Sequence, residues 1–382
     1  MRGLLTHRAA LLLTSAAGIL AAPWLAAPLA AQDVPGHVVM QQVRNGEALY
    51  RAACAACHGV DGKGTTQALV GFEVPLPDFT DCSFASREPD ADWIAVAHQG
   101  GPVRGFSRLM PAFGDALTVD ELQSVMDYIR TFCGDDDWPR GELNLPRAQV
   151  TEKAYPEDEL VFTTIFAVEG AGAWMNEFVY EKRFGARNQW EIAVPFGVRE
   201  RATGEWTGGM GDIALGVKRA LLHSLASGTI FSAAAELIVP TGDEDDGFGA
   251  GTAIFEPFVA LGQILPADAF VQLQAGAEFP FDRDRAEDEG FWRAVIGRTW
   301  TEGPWGRAWS PMVELLGARE FSGGPGAQWD VLPQVQVTLN RRQHVMANIG
   351  VRVPLNQRDT RQTELWIYLL WDWFDGGFFE GW

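Results

Sequence analysis

Cys54-Ala55-Ala56-Cys57-His58 is the segment from which the rest of the chain is best interpreted. Two thiols separated by two residues, with an imidazole next in line, are typical of covalent c-type haem attachment. The cysteines bond to the vinyl groups of the haem, and the histidine reaches the iron. Two cysteines at this spacing also suit zinc or a redox dithiol in a reducing compartment. The adjoining His58 and the export signal described next favour one covalent haem c.

Residues 1–32 have the pattern of a secretory signal peptide. Arg2 and Arg8 precede a largely apolar run, and small residues follow where a signal peptidase would cut. The alternative is a retained anchor helix, but Pro23 and Pro28 interrupt the run before it reaches membrane-spanning length. We therefore expect an exported protein.

The composition indicates two unlike parts. All four cysteines precede residue 134, whereas 12 of the 15 tryptophans lie at or after Trp174. The 50 acidic residues outnumber the 30 basic ones, which argues against nucleic acid as a partner and favours cations or a basic protein. After the signal, no uninterrupted apolar run reaches the roughly 18 residues of a membrane-spanning helix. The short, alternating strands of a membrane barrel remain compatible with the sequence.

Residues 41–133 are predicted to form an all-α haem domain. Helical spacing over residues 46–56 places the haem motif at the end of a first helix. Thr118 and Glu121 form a capping box that begins the last helix of the domain. We expect these two helices to pack against each other.

The second axial ligand is assigned to Met110, which precedes Pro111 in a Gly- and Pro-rich loop that can hold a thioether over the haem. His98 is the competing candidate, although an ordinary surface position explains it as well. Met126 lies on an apolar helix face and is interpreted as core. Methionine opposite histidine raises the potential and fills both axial positions, which favours electron transfer over substrate chemistry.

Cys82 and Cys133 remain once the haem cysteines are assigned. An oxidising compartment favours a disulfide between them. The alternative is a pair of free thiols, because the sequence does not supply their separation.

Three segments resemble class I cytochromes c: Asn45–Tyr50, the haem motif with Gly59, and Met110–Gly114 followed by a capped helix. The resemblance implies a small electron-carrying haem domain, in agreement with the attachment and axial residues assigned above.

Residues 134–159 are predicted to be a linker. Three consecutive aspartates begin it, and three prolines stiffen it. At about 3.3 Å per residue it could extend to roughly 85 Å. We therefore expect that it does not fix the position of the haem domain.

Residues 160–382 alternate in polarity with a period of two, as in Val335-Gln336-Val337-Thr338-Leu339-Asn340. About twelve such strands are recognisable, and short connections alternate with longer, more charged ones. This pattern predicts an antiparallel outer-membrane β-barrel with both termini in the periplasm. A soluble β-sandwich would alternate similarly. Candidates for aromatic girdles and for a terminal aromatic are Trp174, Trp190, Trp300, Trp309, Trp371 and Trp382.

Gly211–Lys218, Pro240–Asp243 and Phe255–Phe258 resemble the outer-membrane transporter family associated with phenol-degradation operons. That family implies a barrel whose small-molecule substrates vary. The joined arrangement also resembles the fused cytochrome-porins of iron-oxidising bacteria, which implies ferrous iron as a candidate donor.

The alternation also predicts which charged side chains face the lumen. They are Glu177, Glu181, Glu191, Asp212, Glu236, Glu278 and Glu314, with Lys218, Arg293 and Arg352. An acidic lumen would concentrate cations. Equally, any water-filled pore needs polar walls.

The expected function is electron transfer at the outer membrane. A twelve-stranded barrel has a backbone diameter of roughly 24 Å, and a domain of about 100 residues has a radius of gyration of about 13 Å. The haem domain is therefore expected at the periplasmic mouth, with a small redox donor or acceptor entering the lumen and a periplasmic electron-transfer protein as partner. The alternatives are an outer-membrane pore for small organic molecules with a tethered cytochrome, and a soluble β-domain enzyme that passes electrons to its own haem.

Overall fold

The computed structural model describes residues 45–71, 76–323 and 326–372. The predicted signal peptide at residues 1–32, the start of the haem domain at 41–44, and Trp382 lie outside the described residues. None of the helices in these ranges is both long enough and apolar enough to span a membrane.

The segment before the barrel is built from short helices. They are α1 (Gly46–Ala53), α2 (Ala55–His58), α3 (Gln67–Val70), α4 (Cys82–Ala85), α5 (Asp90–Gln99) and α6 (Val119–Arg130), with 3₁₀ turns at Gly101–Arg104 and Gly141–Leu143. The predicted helix over 46–56 is in fact two helices, because Cys54 lies between α1 and α2. The all-α prediction is confirmed in part: the described regular elements are helical, but three are single turns joined by loops.

Helices α1 and α6 pack together as expected. Asn45 caps α1, and Thr118 and Glu121 form the predicted capping box of α6. Leu49 and Tyr50 of α1 and Leu122 of α6 share one buried cluster. The helices approach so closely at Gly46 that an added Cβ would lie 1.7 Å from the Ser124 carbonyl oxygen. The crossing therefore requires glycine at this position.

Fourteen strands follow within the described residues. They are β1 (Glu159–Ala167), β2 (Ala173–Phe184), β3 (Asn188–Glu200), β4 (Trp206–Met210), β5 (Ile213–Ser224), β6 (Thr229–Val239), β7 (Ile254–Ile264), β8 (Ala269–Pro280), β9 (Glu289–Arg298), β10 (Trp300–Thr301), β11 (Ala308–Glu320), β12 (Gln328–Thr338), β13 (Val345–Pro354) and β14 (Glu364–Asp372).

Twelve of these strands form a closed antiparallel barrel. Each pairs with its neighbours, β9 pairs with β11, and β14 pairs with β1 to complete the ring. Strand β4 extends the hairpin of β3, and the two-residue β10 pairs with β11. The predicted barrel is therefore confirmed, and one closed sheet rules out the β-sandwich alternative.

The two faces of the barrel differ in polarity as the alternation predicts. Outward side chains such as Leu237, Phe255 and Ile296 are exposed. Inward side chains such as Gln272 and Gln274 are buried. Among the predicted girdle residues, Trp174, Trp190 and Trp300 are exposed. The wall is thus apolar outside, whereas its inner face carries many polar side chains.

Residues 141–158 lie inside the barrel, and we call them the plug. Apolar side chains of the plug pack against inward residues of distant strands: Leu143, Ala154 and Tyr155 meet Ala220, Ile230 and Ala260, and Leu145 and Ala148 meet Phe270, Val295 and Met312. The expectation of an extended linker that leaves the haem domain free is wrong. Its few apolar residues find partners in the lumen, which the composition of the segment alone does not reveal.

Polar groups of the wall also hold the plug. The Glu314 carboxylate accepts hydrogen bonds from the backbone N–H groups of Gln149 and Thr151, at 2.8 and 2.9 Å. The Gln189 side chain accepts one from the Glu157 N–H at 2.7 Å, and the Tyr368 hydroxyl donates to the Arg147 carbonyl at 2.6 Å. Plug and wall therefore satisfy each other's buried polar groups.

Candidate haem site and acidic lumen

The haem motif lies at a sharp turn between α1 and the following loop. Cys54 precedes α2, Cys57 and His58 end it, and Gly59 continues the chain with a φ of +76°. The Tyr50 hydroxyl donates to the Gly59 carbonyl at 2.7 Å and so fixes the turn from below. Both cysteines of the motif are free thiols and half-buried. The turn therefore presents two thiols and one imidazole from a few consecutive residues.

His58 is suited to ligate iron. Its ring stacks on Phe79 with the centroids 5.1 Å apart, and burial lowers the pKa of His58 to about 4. The imidazole is therefore neutral at physiological pH, as iron ligation requires. Its Nδ1 is buried without a hydrogen-bond partner in the described part of the chain. An unpaired nitrogen, a neutral ring and two adjacent free thiols fit a covalently attached haem.

The three sulfur and imidazole candidates for the second axial position differ in their surroundings. Met110 lies in a loop and packs, like Cys54, on the edge of the buried cluster between α1 and α6. Met126 is part of that cluster and 4% exposed. The His98 ring faces Trp305 of a barrel turn at 5.6 Å, and its Nδ1 hydrogen-bonds to Gln99. Met110 thus remains the predicted ligand.

Cys82 and Cys133 form a disulfide with their Cα atoms 5.1 Å apart. The bond joins the start of α4 to the chain just after α6. It therefore ties the loop that carries Phe79 to the helix that supports the haem motif.

The haem segment rests on the barrel end that carries the short turns. Arg104 donates to the Trp305 carbonyl at 2.7 Å, and Glu88 contacts His344 at 2.7 Å. Arg87 forms an ion pair with Asp158 at the end of the plug. The plug and two turns of the wall thus hold the haem segment at one mouth.

Strand register brings nine carboxylates into one row along the inner wall, which we call the carboxylate ladder. Its members, in order around the barrel, are Asp372, Glu159, Glu181, Glu191, Glu236, Glu256, Glu278, Glu289 and Glu320. Glu159 is directly opposite both Asp372 and Glu181, and Glu289 is directly opposite both Glu278 and Glu320. Phe255 opposes Phe279, which brings the adjoining Glu256 and Glu278 together.

Among the strands that the row crosses, β5 contributes a glycine in place of a carboxylate. Gly216 of β5 is paired with Glu191 on one side and Glu236 on the other. A Cβ at Gly216 would lie 2.5 Å from the Glu191 side chain. The missing side chain therefore leaves the space that the Glu191 carboxylate occupies.

The ladder winds from one end of the barrel to the other. Asp372 ends β14 and Glu159 begins β1, next to the plug and the haem segment. Glu289 begins β9 and Glu320 ends β11, at the rim with the long loops. Like charges directly opposite each other are destabilising, and their combined potential attracts cations. The row therefore forms a continuous line of carboxylates along the inner wall, and at the haem end Glu159 and Glu181 are buried and paired with Arg147.

Apart from Asp212 and Glu177, the predicted lumen charges fall into three groups. Glu177 lies on the same face of β2 as Glu181 and so faces inward. Glu181, Glu191, Glu236 and Glu278 belong to the ladder. Glu314, Lys218 and Arg293 face inward but bind the plug, since Lys218 and Arg293 donate to the carbonyls of Lys153 and Val150. Arg352 pairs with Asp330 at 2.7 Å.

Asp212, also predicted to face the lumen, binds a loop. Its carboxylate accepts hydrogen bonds from the N–H groups of Gly242 and Ala250 at 2.8 and 2.7 Å. It therefore orders a loop at the rim. Sequence reasoning also missed five ladder members, because only the register shows that they adjoin: Asp372, Glu159, Glu256, Glu289 and Glu320.

Known proteins similar to this chain were found for each of its two parts. Residues 41–129 match the family model of cytochrome c oxidase, cbb3-type, subunit III. No curated protein matches the chain. Solved structures similar to the chain include the KdgM porin, at 11% identity over 56% of this chain and 99% of that one with a TM-score of 0.40. An outer-membrane channel from Pseudomonas putida F1 is 13% identical over 60% of this chain and all of that one, with a TM-score of 0.43. The chain joins a cytochrome c segment to a twelve-stranded β-barrel.

Proposed function

We propose that the protein carries electrons at the outer membrane between a small redox-active cation in the barrel and a periplasmic electron-transfer protein that docks on the haem segment. The observation that carries the proposal is the carboxylate ladder. It leads from the loop-bearing rim to the plug, and the haem segment rests against the same end. Ferrous iron is a donor of suitable charge.

One covalent haem c would be bonded to Cys54 and Cys57, with His58 and Met110 as axial ligands. The bound haem supplies reversible one-electron transfer. Tyr50 fixes the backbone of the motif through its hydrogen bond to Gly59. Burial keeps the imidazole of His58 unprotonated and available to iron. The chain's own groups would thus hold the haem and keep the His58 ligand neutral near pH 7.

The outer-membrane location is supported by the wall of the barrel. Ten of its twelve ring strands are 10–13 residues long, and the other two have 9; a spanning strand needs about 9–11 residues. The outward face carries exposed Leu, Ile, Val and Phe side chains. Short turns face the periplasm in such barrels. The haem segment at the short-turn end would therefore lie in the periplasm.

The plug favours electron transfer over the alternative of a pore for small organic molecules. Its residues pack against inward side chains of β5, β6, β7, β8, β9 and β11. A small ion can follow the acidic wall, whereas an organic solute would have to displace this packing. Electron transfer to the haem therefore suits the structure better than solute passage.

The proposal is tested in proteoliposomes that enclose the haem segment. Ferrous iron is added outside, and haem absorbance reports reduction. We expect the haem to be reduced while the vesicles are intact. Opening the vesicles with detergent should then give no additional haem reduction. Haem that stays oxidised until detergent is added would refute delivery through the barrel. Passage of a neutral sugar at porin-like rates would favour the pore instead.

A further inference from the structure

Three buried carboxylates meet where the barrel closes. Glu159 of β1 and Asp372 of β14 are directly opposed in register, and Glu157 of the plug lies beside them. One carboxylate oxygen from each residue lies within 4.8 Å of the others. The exposed fractions of Glu157, Glu159 and Asp372 are 1%, 0% and 5%. The cluster is thus sealed from bulk water by the wall and the plug.

Asp372 is the least compensated carboxylate of the three. Its Oδ1 is buried and makes no hydrogen bond, and no described cation forms an ion pair with it. By contrast, Glu157 and Glu159 each contact the Lys153 ammonium, at 2.5 and 3.2 Å. An ionised carboxylate is strongly disfavoured in such a place unless something compensates it. The Asp372 carboxylate therefore lies in the cluster without an ion pair from the described residues and without a hydrogen bond at Oδ1.

The charges around the cluster do not balance. Three cations lie here, Arg147 and Lys153 of the plug and Lys218 of β5. Their ion-pair partners are the carboxylates of Glu152, Glu157, Glu159 and Glu181. With Asp372, five carboxylates face three cations, which leaves a formal excess of two negative charges. Glu191, close to Glu152 and Glu181, adds to that excess. Buried charge of this kind requires protons or a bound cation.

We propose that Glu157, Glu159 and Asp372 bind one hard divalent cation. All the available donors are carboxylate oxygens, which Ca²⁺ and Mn²⁺ prefer over nitrogen or sulfur sites. Oxygens on opposite sides of Ca²⁺, each at about 2.4 Å, lie about 4.8 Å apart, and the donors here are no farther apart than that. A charge of +2 also cancels the excess from the five carboxylates.

The cation would join three parts of the chain at the barrel seam. Glu157 belongs to the plug, Glu159 to the first strand and Asp372 to the last. The backbone N–H of Asp372 donates to the His344 carbonyl, and His344 contacts Glu88 of the haem segment. The site would therefore stabilise the contact between the barrel and the haem segment. This role does not depend on the proposed electron transfer.

The test uses the full haem-loaded chain in detergent, treated with a chelator, desalted and titrated with Mn²⁺. Electron paramagnetic resonance of free Mn²⁺ gives the stoichiometry. We expect one tightly bound Mn²⁺ per wild-type chain, distinct from weaker binding along the ladder, and at least tenfold weaker binding at this site in Asp372→Asn. The control Asp359→Asn, at an exposed turn, should bind as the wild type does. Mn²⁺ should raise the unfolding temperature of the wild type but not of Asp372→Asn.

Glu157→Gln is a second test if Asp372→Asn does not fold. Glu157 lies on the plug and not in a strand of the wall, so its substitution leaves the strands unchanged. It should also bind Mn²⁺ at least tenfold more weakly. Wild-type affinity in either folded variant would overturn the site. So would a wild type that binds no Mn²⁺ and shows the infrared band of a buried protonated carboxyl group. Mn²⁺ binding without haem reduction in vesicles would refute only the proposed electron transfer.

Discussion

The haem segment and the barrel lumen differ in the charge of the side chains that line them. Around the haem motif, His58 is neutral and stacked on Phe79. In the lumen, register aligns carboxylates on neighbouring strands. An apolar site suits a large aromatic macrocycle, and an acidic lumen suits small cations. The difference teaches that, in the proposed function, electron transfer and cation supply would be separated in space, with the plug between them.

Covalent attachment of haem should depend on both thiols of the haem motif, and their loss should have the largest effect. Cys54→Ser combined with Cys57→Ser should abolish covalent haem, measured on a haem-stained denaturing gel. The barrel should still assemble, because its strands close without the motif. Cys82→Ser with Cys133→Ser is the matched control. It should retain haem and lose about 2–4 kcal/mol of stability. Haem that stays bound to the first variant after denaturation would contradict the assignment.

The Met110 assignment is tested by the reduction potential. Met110→Ala should keep covalent haem but lower its potential by on the order of 0.1 V, since axial ligands tune haem over about 0.8 V. Met126→Leu and His98→Ala should leave the potential nearly unchanged, because Met126 is core and the His98 ring faces Trp305. A larger shift in His98→Ala than in Met110→Ala would reassign the ligand. Spectroelectrochemistry measures all three.

The separation of haem and lumen depends on the plug. Arg147 pairs with Glu159 at 2.6 Å and with Glu181 at 2.9 Å. Arg147→Met should lower the free energy of unfolding by about 3–5 kcal/mol, because it leaves buried carboxylates unpaired. Arg283→Met breaks an exposed pair with Asp288 and should cost at most about 1 kcal/mol. Equal losses in urea denaturation would show that the plug is not energetically part of the barrel.

The smallest expected effect is at the glycine of the ladder. Gly216→Ala introduces a Cβ that would meet the Glu191 side chain at 2.5 Å. Displacing that carboxylate should slow haem reduction by external ferrous iron several-fold and leave barrel assembly intact. Gly134→Ala, where nothing lies within 4 Å of the added Cβ, is the control. An unchanged rate in Gly216→Ala would mean that cations do not pass this point.

Sequence reasoning succeeded where the determining residues are close together in the chain. The capping box of Thr118 and Glu121 and the alternation along each strand are local patterns, and the helix start and the barrel followed from them. The ladder needed one residue from each of nine strands. A register slip of one residue turns every side chain of a strand to the other face. No local pattern therefore shows that Glu159 adjoins Asp372.

The plug was missed for a related reason. Leu143 and Tyr155 lie in a segment rich in aspartate and proline, which is typical of an exposed linker. Their partners, Ala220 and Ile230, come from strands far along the chain. The burial of the segment is thus a property of the closed barrel and not of its own composition.

The most direct test of the account measures haem reduction in sealed proteoliposomes after ferrous iron is added outside, for a ladder variant and a matched surface variant. Glu236→Gln with Glu256→Gln removes two adjacent ladder charges. Glu205→Gln with Glu287→Gln removes two exposed charges outside the ladder. We expect haem reduction to be at least tenfold slower in the ladder variant and to keep a near wild-type rate in the surface variant. Equal rates in the two variants would contradict the claim that the carboxylate ladder supplies the haem.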